Sequence, residues 1–230
     1  MGTRVPSPTK RNSEPKPKPK PKPAKRKAPS EPIISVEAIR LRCILGAAVL
    51  VPNSGISNPK FQVVHIRQEK THLEVVSTNG HWMFVWREER AGTPTFVTVS
   101  TTVAEMMIHM ATQQHDEMAP IIIRPNHGVF DCEFGRINAP HVSESDNIFK
   151  ERKYLGIVNL GKVDRGGREV IGVSSHYIGY VAKAMSLAAD DMRGGSVEMR
   201  FSFGTKDDSV VVVTSPKAPC ATVYLMPMRI

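Results

Sequence analysis

Eight histidines and three cysteines are the side chains of this 230-residue sequence best suited to acid–base, nucleophilic or metal chemistry. Their spacing does not gather them. His109 and His115 are six apart and cannot share one helical face. Cys43, Cys132 and Cys220 are odd in number and widely separated, with no C-x-x-C pair. They read as three reduced, buried thiols of a cytosolic protein rather than a disulfide framework or zinc site. His81 follows a turn, where a lone histidine reads as a structural or partner-contact residue. Gly161-Lys162 and Arg165-Gly166-Gly167 lack the spacing of a phosphate-binding loop and read as turns. There is no G-x-S-x-G and no H-E-x-x-H. No catalytic residue, metal or cofactor is assigned, and the chain is read as a non-enzyme. An enzyme of unknown class is kept as a third alternative, because carboxylates can meet in space from anywhere in a sequence.

The chemistry that does concentrate is positive charge. The chain carries 31 Lys and Arg against 22 Asp and Glu, a formal net charge of +9. Residues 1–30 alone hold Arg4, Lys10, Arg11, Lys16, Lys18, Lys20, Lys22, Lys25, Arg26 and Lys27 against the single acid Glu14. That surplus accounts for the whole net charge, so residues 31–230 are neutral. Such a tail attracts polyanions, nucleic acid first and anionic membrane second. Half of the prolines also lie in residues 1–32, and Lys-Pro alternation favours an extended polyproline II arm. The segment is expected to be disordered and to contact DNA phosphates through Lys10, Arg11, Lys16, Lys18, Lys20, Lys22, Lys25, Arg26 and Lys27. A solubilising spacer is the other reading. No apolar run approaches the roughly 18 residues of a membrane helix, and the N-terminus lacks the apolar stretch of a secretory signal.

From residue 33 the composition becomes that of a folded body. Residues 36–51 predict a helix, with Ile39, Cys43, Ala47 and Leu50 on one face and Pro52 as the stop. Strands are expected at 61–67, 72–77 and 82–87. Asn79-Gly80 between the last two signals a hairpin whose two central residues take positive φ. A second pass gives a strand at 95–99 and a helix from a capping box Thr102-Val103-Ala104-Glu105 to about 114. Met106, Met107 and Met110 are its apolar positions. Strands at 120–124, 129–134 and 136–142 follow. A third pass gives a strand at 169–173 and a helix to about 189, with Tyr177, Val181, Ala184, Met185 and Ala188 on one face. Arg193-Gly194-Gly195 ends it, and strands follow at 197–203, 209–214 and 221–226. The unit is strand–helix–three strands, seen about three times, and the first copy lacks a clear leading strand. The fold class is α+β, with helices on one face of antiparallel sheets.

Four segments, in order, resemble the bacterial DNA polymerase III beta sliding clamp family. They are the hairpin Leu73-Glu74-Val75-Val76-Ser77-Thr78-Asn79-Gly80-His81; Glu133-Phe134-Gly135 with the later Phe149-Lys150-Glu151-Arg152-Lys153-Tyr154; Ile171-Gly172-Val173-Ser174-Ser175-His176-Tyr177; and the terminus Val223-Tyr224-Leu225-Met226-Pro227-Met228-Arg229-Ile230. The resemblance covers residues 61–230. The chain departs from the family in length, in the Lys-Pro arm, and in Trp82-Met83 after His81, where the family has a basic and then an aliphatic residue.

The resemblance implies a shortened DNA-clamp fold. Residues 1–32 would be the arm, 33–155 a domain like the family's middle one, and 156–230 the C-terminal half of another. It implies a cytoplasmic, bacterial, DNA-associated replication protein that binds or encircles double-stranded DNA with its helices inward. Arg40, Arg42 and Lys183 are the helix-borne candidates for DNA contact. The alternative is a non-encircling clamp-fold regulator of phage or plasmid replication. The implied peptide groove, for a DNA polymerase or other replication protein, takes Phe61, Thr78, Gly80, His81, Trp82 and Met83 on one side. On the other it takes Leu155, Val210, Val212, Met226, Pro227, Met228, Arg229 and Ile230. An incomplete last domain implies a homo-oligomer, because an open sheet edge associates. No membrane partner is implied.

Overall fold

In this computed structural model the described residues are 32–55, 59–125, 129–132, 135–138, 173–189, 196–203 and 210–226, together with Gly2. The body occupies Glu31–Ile230. Its first repeat opens with a strand that the periodicity concealed: Ile34–Glu37 is β1, and helix α1 is Ala38–Asn53. Two buried residues, Ile34 and Val36, give too short an alternation to separate from the helix that follows. Pro52 does not stop α1. It sits in the last turn, and the helix ends one residue later.

A short 3-10 turn, Pro59–Phe61, leads into β2 (Val63–Gln68), so Phe61 lies before the strand rather than in it. Then come β3 (His72–Thr78), β4 (Trp82–Glu89) and β5 (Thr95–Ser100). Helix α2 is Thr101–Gln113. Its cap is Ser100, whose side chain accepts from the Val103 N–H, and not the expected Thr102 box. Strands β6 (Pro120–Arg124), β7 (Val129–Cys132) and β8 (Gly135–Asn138) complete the second repeat. The third has α3 (Ser175–Ala188), β9 (Arg200–Ser202), β10 (Val211–Ser215) and β11 (Ala218–Leu225). Its expected leading strand and the Arg193-Gly194-Gly195 stop lie outside the described residues.

Two antiparallel sheets result, one ordered β1-β6-β7-β8 and one ordered β5-β2-β3-β4-β11-β10-β9. The first two repeats exchange their leading strands: β1 pairs with β6 of the second repeat, and β5 pairs with β2 of the first. The third repeat joins through β11, which pairs with β4 from Leu225↔Trp82 to Ala221↔Trp86. Strands from either side of the expected boundary near residue 155 therefore share one sheet.

Helix α1 is the centre of the helical layer, touching α2 on one side and α3 on the other. Ten of its sixteen residues are buried, all round its circumference, because the sheets and both neighbouring helices enclose it. The main core joins these helices to the inward residues Trp82, Phe84 and Trp86 of β4 and Val223 and Leu225 of β11. Successive strand residues face opposite sides, so Met83, Val85 and Tyr224 face outward. They form a second, separate apolar cluster with Val63, Val76 and Val210. The α3 face expected from periodicity is buried at Val181, Ala184, Met185 and Ala188. Among the α2 methionines only Met107 is core; Met106 is 48% exposed.

Candidate partner-binding and DNA-facing surfaces

The β3–β4 hairpin is closed by side chains as much as by backbone. Asn79 donates its N–H to the Trp82 carbonyl at 3.2 Å. Its Oδ1 accepts from the N–H groups of His81 and Trp82, at 2.9 and 3.0 Å. The two central residues are thus Gly80 and His81, not Asn79 and Gly80. Gly80 has φ +88°, the left-handed value that the first central position of a tight hairpin turn requires and that glycine adopts without strain. A Cβ there would lie 3.5 Å from the Phe61 ring, so the 3-10 turn and the hairpin tip are in contact. The Thr78 hydroxyl donates to the Trp82 carbonyl at 3.0 Å and accepts from the Gly80 N–H at 3.2 Å.

The last described residue of the C-terminus reaches this hairpin. The Met226 N–H donates to the His81 carbonyl at 2.9 Å, one step beyond the last rung of the β4–β11 ladder. Tyr224 lies opposite Met83 on the outward face, and Val212 of β10 packs beside them. The hairpin end of the large sheet is therefore apolar on its outer side. The opposite end is charged: buried Glu74 pairs with Arg87, and the Arg67 guanidinium lies 5.3 Å from the Phe96 ring centroid. Burial pushes the Tyr224 phenol above its usual range, with Arg87 opposing and Glu74 reinforcing the shift.

The expected groove residues divide. Gly80, His81 and Met226 are exposed, and Phe61 and Val212 are half-buried. Met83 and Val210 are buried in the outer apolar cluster, and Thr78 is buried with its hydroxyl committed to the turn. Trp82 is a correction. Its side chain belongs to the inner core, 1% exposed, and its indole N–H donates to the Ser54 hydroxyl at 2.7 Å. Residue parity decides this: with Met83 outward, its neighbour must point inward. Leu155, Pro227, Met228, Arg229 and Ile230 lie outside the described residues.

Register supplies residues that spacing had not singled out. Tyr224 reaches the outer cluster only because it pairs with Met83. At the hairpin tip His81 stacks on Tyr177 of α3, centroids 5.6 Å apart and planes 19° from parallel. Tyr177 and Tyr180 flank His176, and a His176 ring nitrogen lies 2.9 Å from the Ser54 carbonyl. No local sequence signal connects the hairpin to a helix almost a hundred residues later.

The helix-borne cations are mostly committed. Arg40 pairs with Glu88, and Arg42 with Glu117 at 3.4 Å. Lys183 is exposed. Helix α2 contains no Lys or Arg, and its Glu105 accepts from Asn53 at 3.2 Å. The arm cations from Lys10 to Lys27 lie outside the described residues. Cys43 and Cys220 are reduced thiols outside any disulfide. Cys43 is buried and Cys220 only partly so; Cys132 is outside the residues whose side chains are described. No described helix is long and apolar enough to cross a membrane.

Repeats that exchange strands, join last strand to last strand, and stack helices on one side of an antiparallel wall match a set of solved structures. The chain superposes on the DNA polymerase III subunit beta of Pseudomonas aeruginosa with a TM-score of 0.63 at 13% identity, over 90% of this chain and 69% of that one. This is the sliding-clamp fold. The pol III beta of Caulobacter crescentus gives 0.55 at 10% identity, over 85% of this chain and 65% of that one. The DNA polymerase III subunit beta sliding clamp of Bartonella birtlesii gives 0.56 at 9%, over 86% and 65%. The chain thus spans about two thirds of these clamps. No protein-family model matches it, and no curated protein matches it in sequence. The likeness is one of fold, and it bears out the resemblance carried by the hairpin and the terminus.

Proposed function

We propose that the protein is a sliding-clamp-like processivity and partner-recruitment factor of DNA replication, without enzymatic activity, acting on DNA in the bacterial cytoplasm. The observation that carries this reading is the bond between Met226 and His81, which sets the C-terminus against the hairpin tip beside an outward apolar cluster in a clamp fold. An apolar floor with an adaptable methionine and a histidine at its rim suits a short linear peptide. Phe61, Gly80, His81, Val212 and Met226 form its accessible part, and Leu155 and Pro227 to Ile230 would extend it. Arg229 would hold a peptide carbonyl or carboxylate. The partner is a DNA polymerase or another replication protein bearing such a peptide. The third repeat, 156–230, would be completed by another copy of the chain, giving a homo-oligomer.

DNA affinity is assigned to the arm. The body is neutral, and Arg40 and Arg42 are paired with acids, so the helices offer little to neutralise phosphate. This same observation favours the second reading, a non-encircling clamp-fold regulator held on DNA by its arm. Retention on circular against linear DNA separates the two. A factor that encircles DNA stays on the circle and runs off open ends. Equal loss from both substrates would remove encirclement, and no DNA retention at all would remove the replication reading itself.

A further inference from the structure

The first two repeats correspond to each other in their hydrogen bonds. The Ala38 N–H donates to the Ala119 carbonyl and the Thr101 N–H to the Gln62 carbonyl, both at 3.0 Å. Ala38 and Thr101 thus occupy equivalent places at the starts of α1 and α2. Stepping along the helices, Leu41, Ile44 and Ala48 correspond to Ala104, Met107 and Ala111, and all six are buried. The ladders agree. Ile66↔Val75↔Trp86 runs across β2, β3 and β4, and Ile123↔Phe130↔Ile137 runs across β6, β7 and β8. Ile137 is therefore the counterpart of Trp86, and β8 the counterpart of β4.

In the first repeat, one face built on these places is covered by the third. Strand β11 bonds along β4, and Leu187 of α3 lies 3.6 Å from where a Gly46 Cβ would be. Cys43, Ala47 and Trp86 on that face are buried. In the second repeat the equivalent places hold Met106, His109, Met110 and Ile137, which line one open groove. Met106 is 48% exposed, and no described strand lies beyond β8. The same kind of surface is thus covered in one repeat and, among the described residues, open in the other.

What fits the open face follows from how the covered one is used. There the last strands of two repeats meet antiparallel, with helix beside helix. The last strand of the third repeat cannot serve again, because β11 is already paired with β4 on one side and β10 on the other. The described last strand with an open side is β8 itself. We propose that the α2–β8 face is a two-fold contact between two copies of this chain, with β8 meeting β8 and the Met110 side chains, the counterparts of Ala47 beside the Gly46–Leu187 contact, facing each other near the axis. A self-complementary patch closes in this way without forming fibres. The contact is separate from completion of the third repeat in trans, and it does not depend on DNA being the ligand.

The test uses the full chain without DNA. Light scattering across a dilution series should show self-association. Met110→Glu and Met110→Lys should each weaken it at least about tenfold by placing like charges across the axis. An equimolar mixture of the two should recover association to within about threefold of the parent chain. Circular dichroism reports whether each variant keeps its fold. A parent chain that stays monomeric at about 100 μM overturns the proposal, as does an association constant that neither variant moves. Weakening by both variants without recovery in the mixture overturns the two-fold geometry.

Discussion

Asn79 holds the hairpin from both ends of its amide. Its Oδ1 accepts two backbone N–H groups, and its Nδ2 donates to the Val51 carbonyl and the Ser54 hydroxyl, each at 3.1 Å. All but the His81 bond is buried, so Asn79→Ala strands donors and acceptors that water cannot reach. The expected loss is about 2–4 kcal/mol in urea denaturation, with Asn79→Asp falling between because it keeps the Oδ1 bonds. On the outward face, opposite Met83, Tyr224 makes stability depend on alkaline pH. Burial, opposed by Arg87 and reinforced by Glu74, raises its folded-state pKa. The unfolded chain therefore ionises first as pH rises. The stability due to the neutral phenol is complete below the ordinary tyrosine pKa of about 10 and is lost as pH rises through the folded value. Tyr224→Phe, which keeps the ring and removes the titration, should flatten the alkaline decline seen in unfolding curves.

Helices α1 and α3 each contain a glycine that no turn requires. A Cβ at Gly46 would meet Leu187 at 3.6 Å, an ordinary contact, and one at Gly179 would meet nothing within 4 Å. Glycine in a helix interior costs roughly 0.5–1 kcal/mol relative to alanine. Gly46→Ala and Gly179→Ala should each raise stability by about that amount, measured by thermal unfolding of the single variants. Destabilisation by Gly46→Ala would mean that α1 and α3 pack more closely than the 3.6 Å contact allows. Most elements were legible because their apolar periods are long: the α3 face Val181, Ala184, Met185 and Ala188 repeats over two full turns. Those missed are short. Strand β1 has two inward residues and runs straight into a helix, and the Ser100 cap was hidden by a second capping pattern two residues later.

The whole molecule separates charge from fold. The +9 of the sequence belongs to residues 1–30, while the body, Glu31–Ile230, is neutral. Removing residues 1–30 should weaken duplex binding and flatten the dependence of log affinity on log salt. Each lost phosphate contact removes about 0.9 from the slope. A truncated chain with an unchanged slope would return the DNA contact to the helices, with Lys183 the first candidate. If the α2–β8 contact and the completion of the third repeat both form, two different contacts act on one chain, and the assembly closes only where their symmetry operators combine into a closed point group.

The sequence by itself determined the local matters: the basic arm, the strand–helix–three-strand period, the hairpin at Gly80 and the apolar face of α3. Each depends on residues within a few turns of one another, where φ preferences and side-chain period act directly. Only the tertiary structure decided which sides meet. Trp82 and Met83 are neighbours of similar hydrophobicity, and strand parity alone sends one into the core and the other to the outer cluster. Tyr224, Tyr177 and His176 come to the hairpin through the β4–β11 register and the docking of α3 beside α1, pairings between segments far apart in the chain. The paired state of Arg40 and Arg42 is of the same kind. Their acids, Glu88 and Glu117, come from a strand and a loop that composition could not place beside the helix.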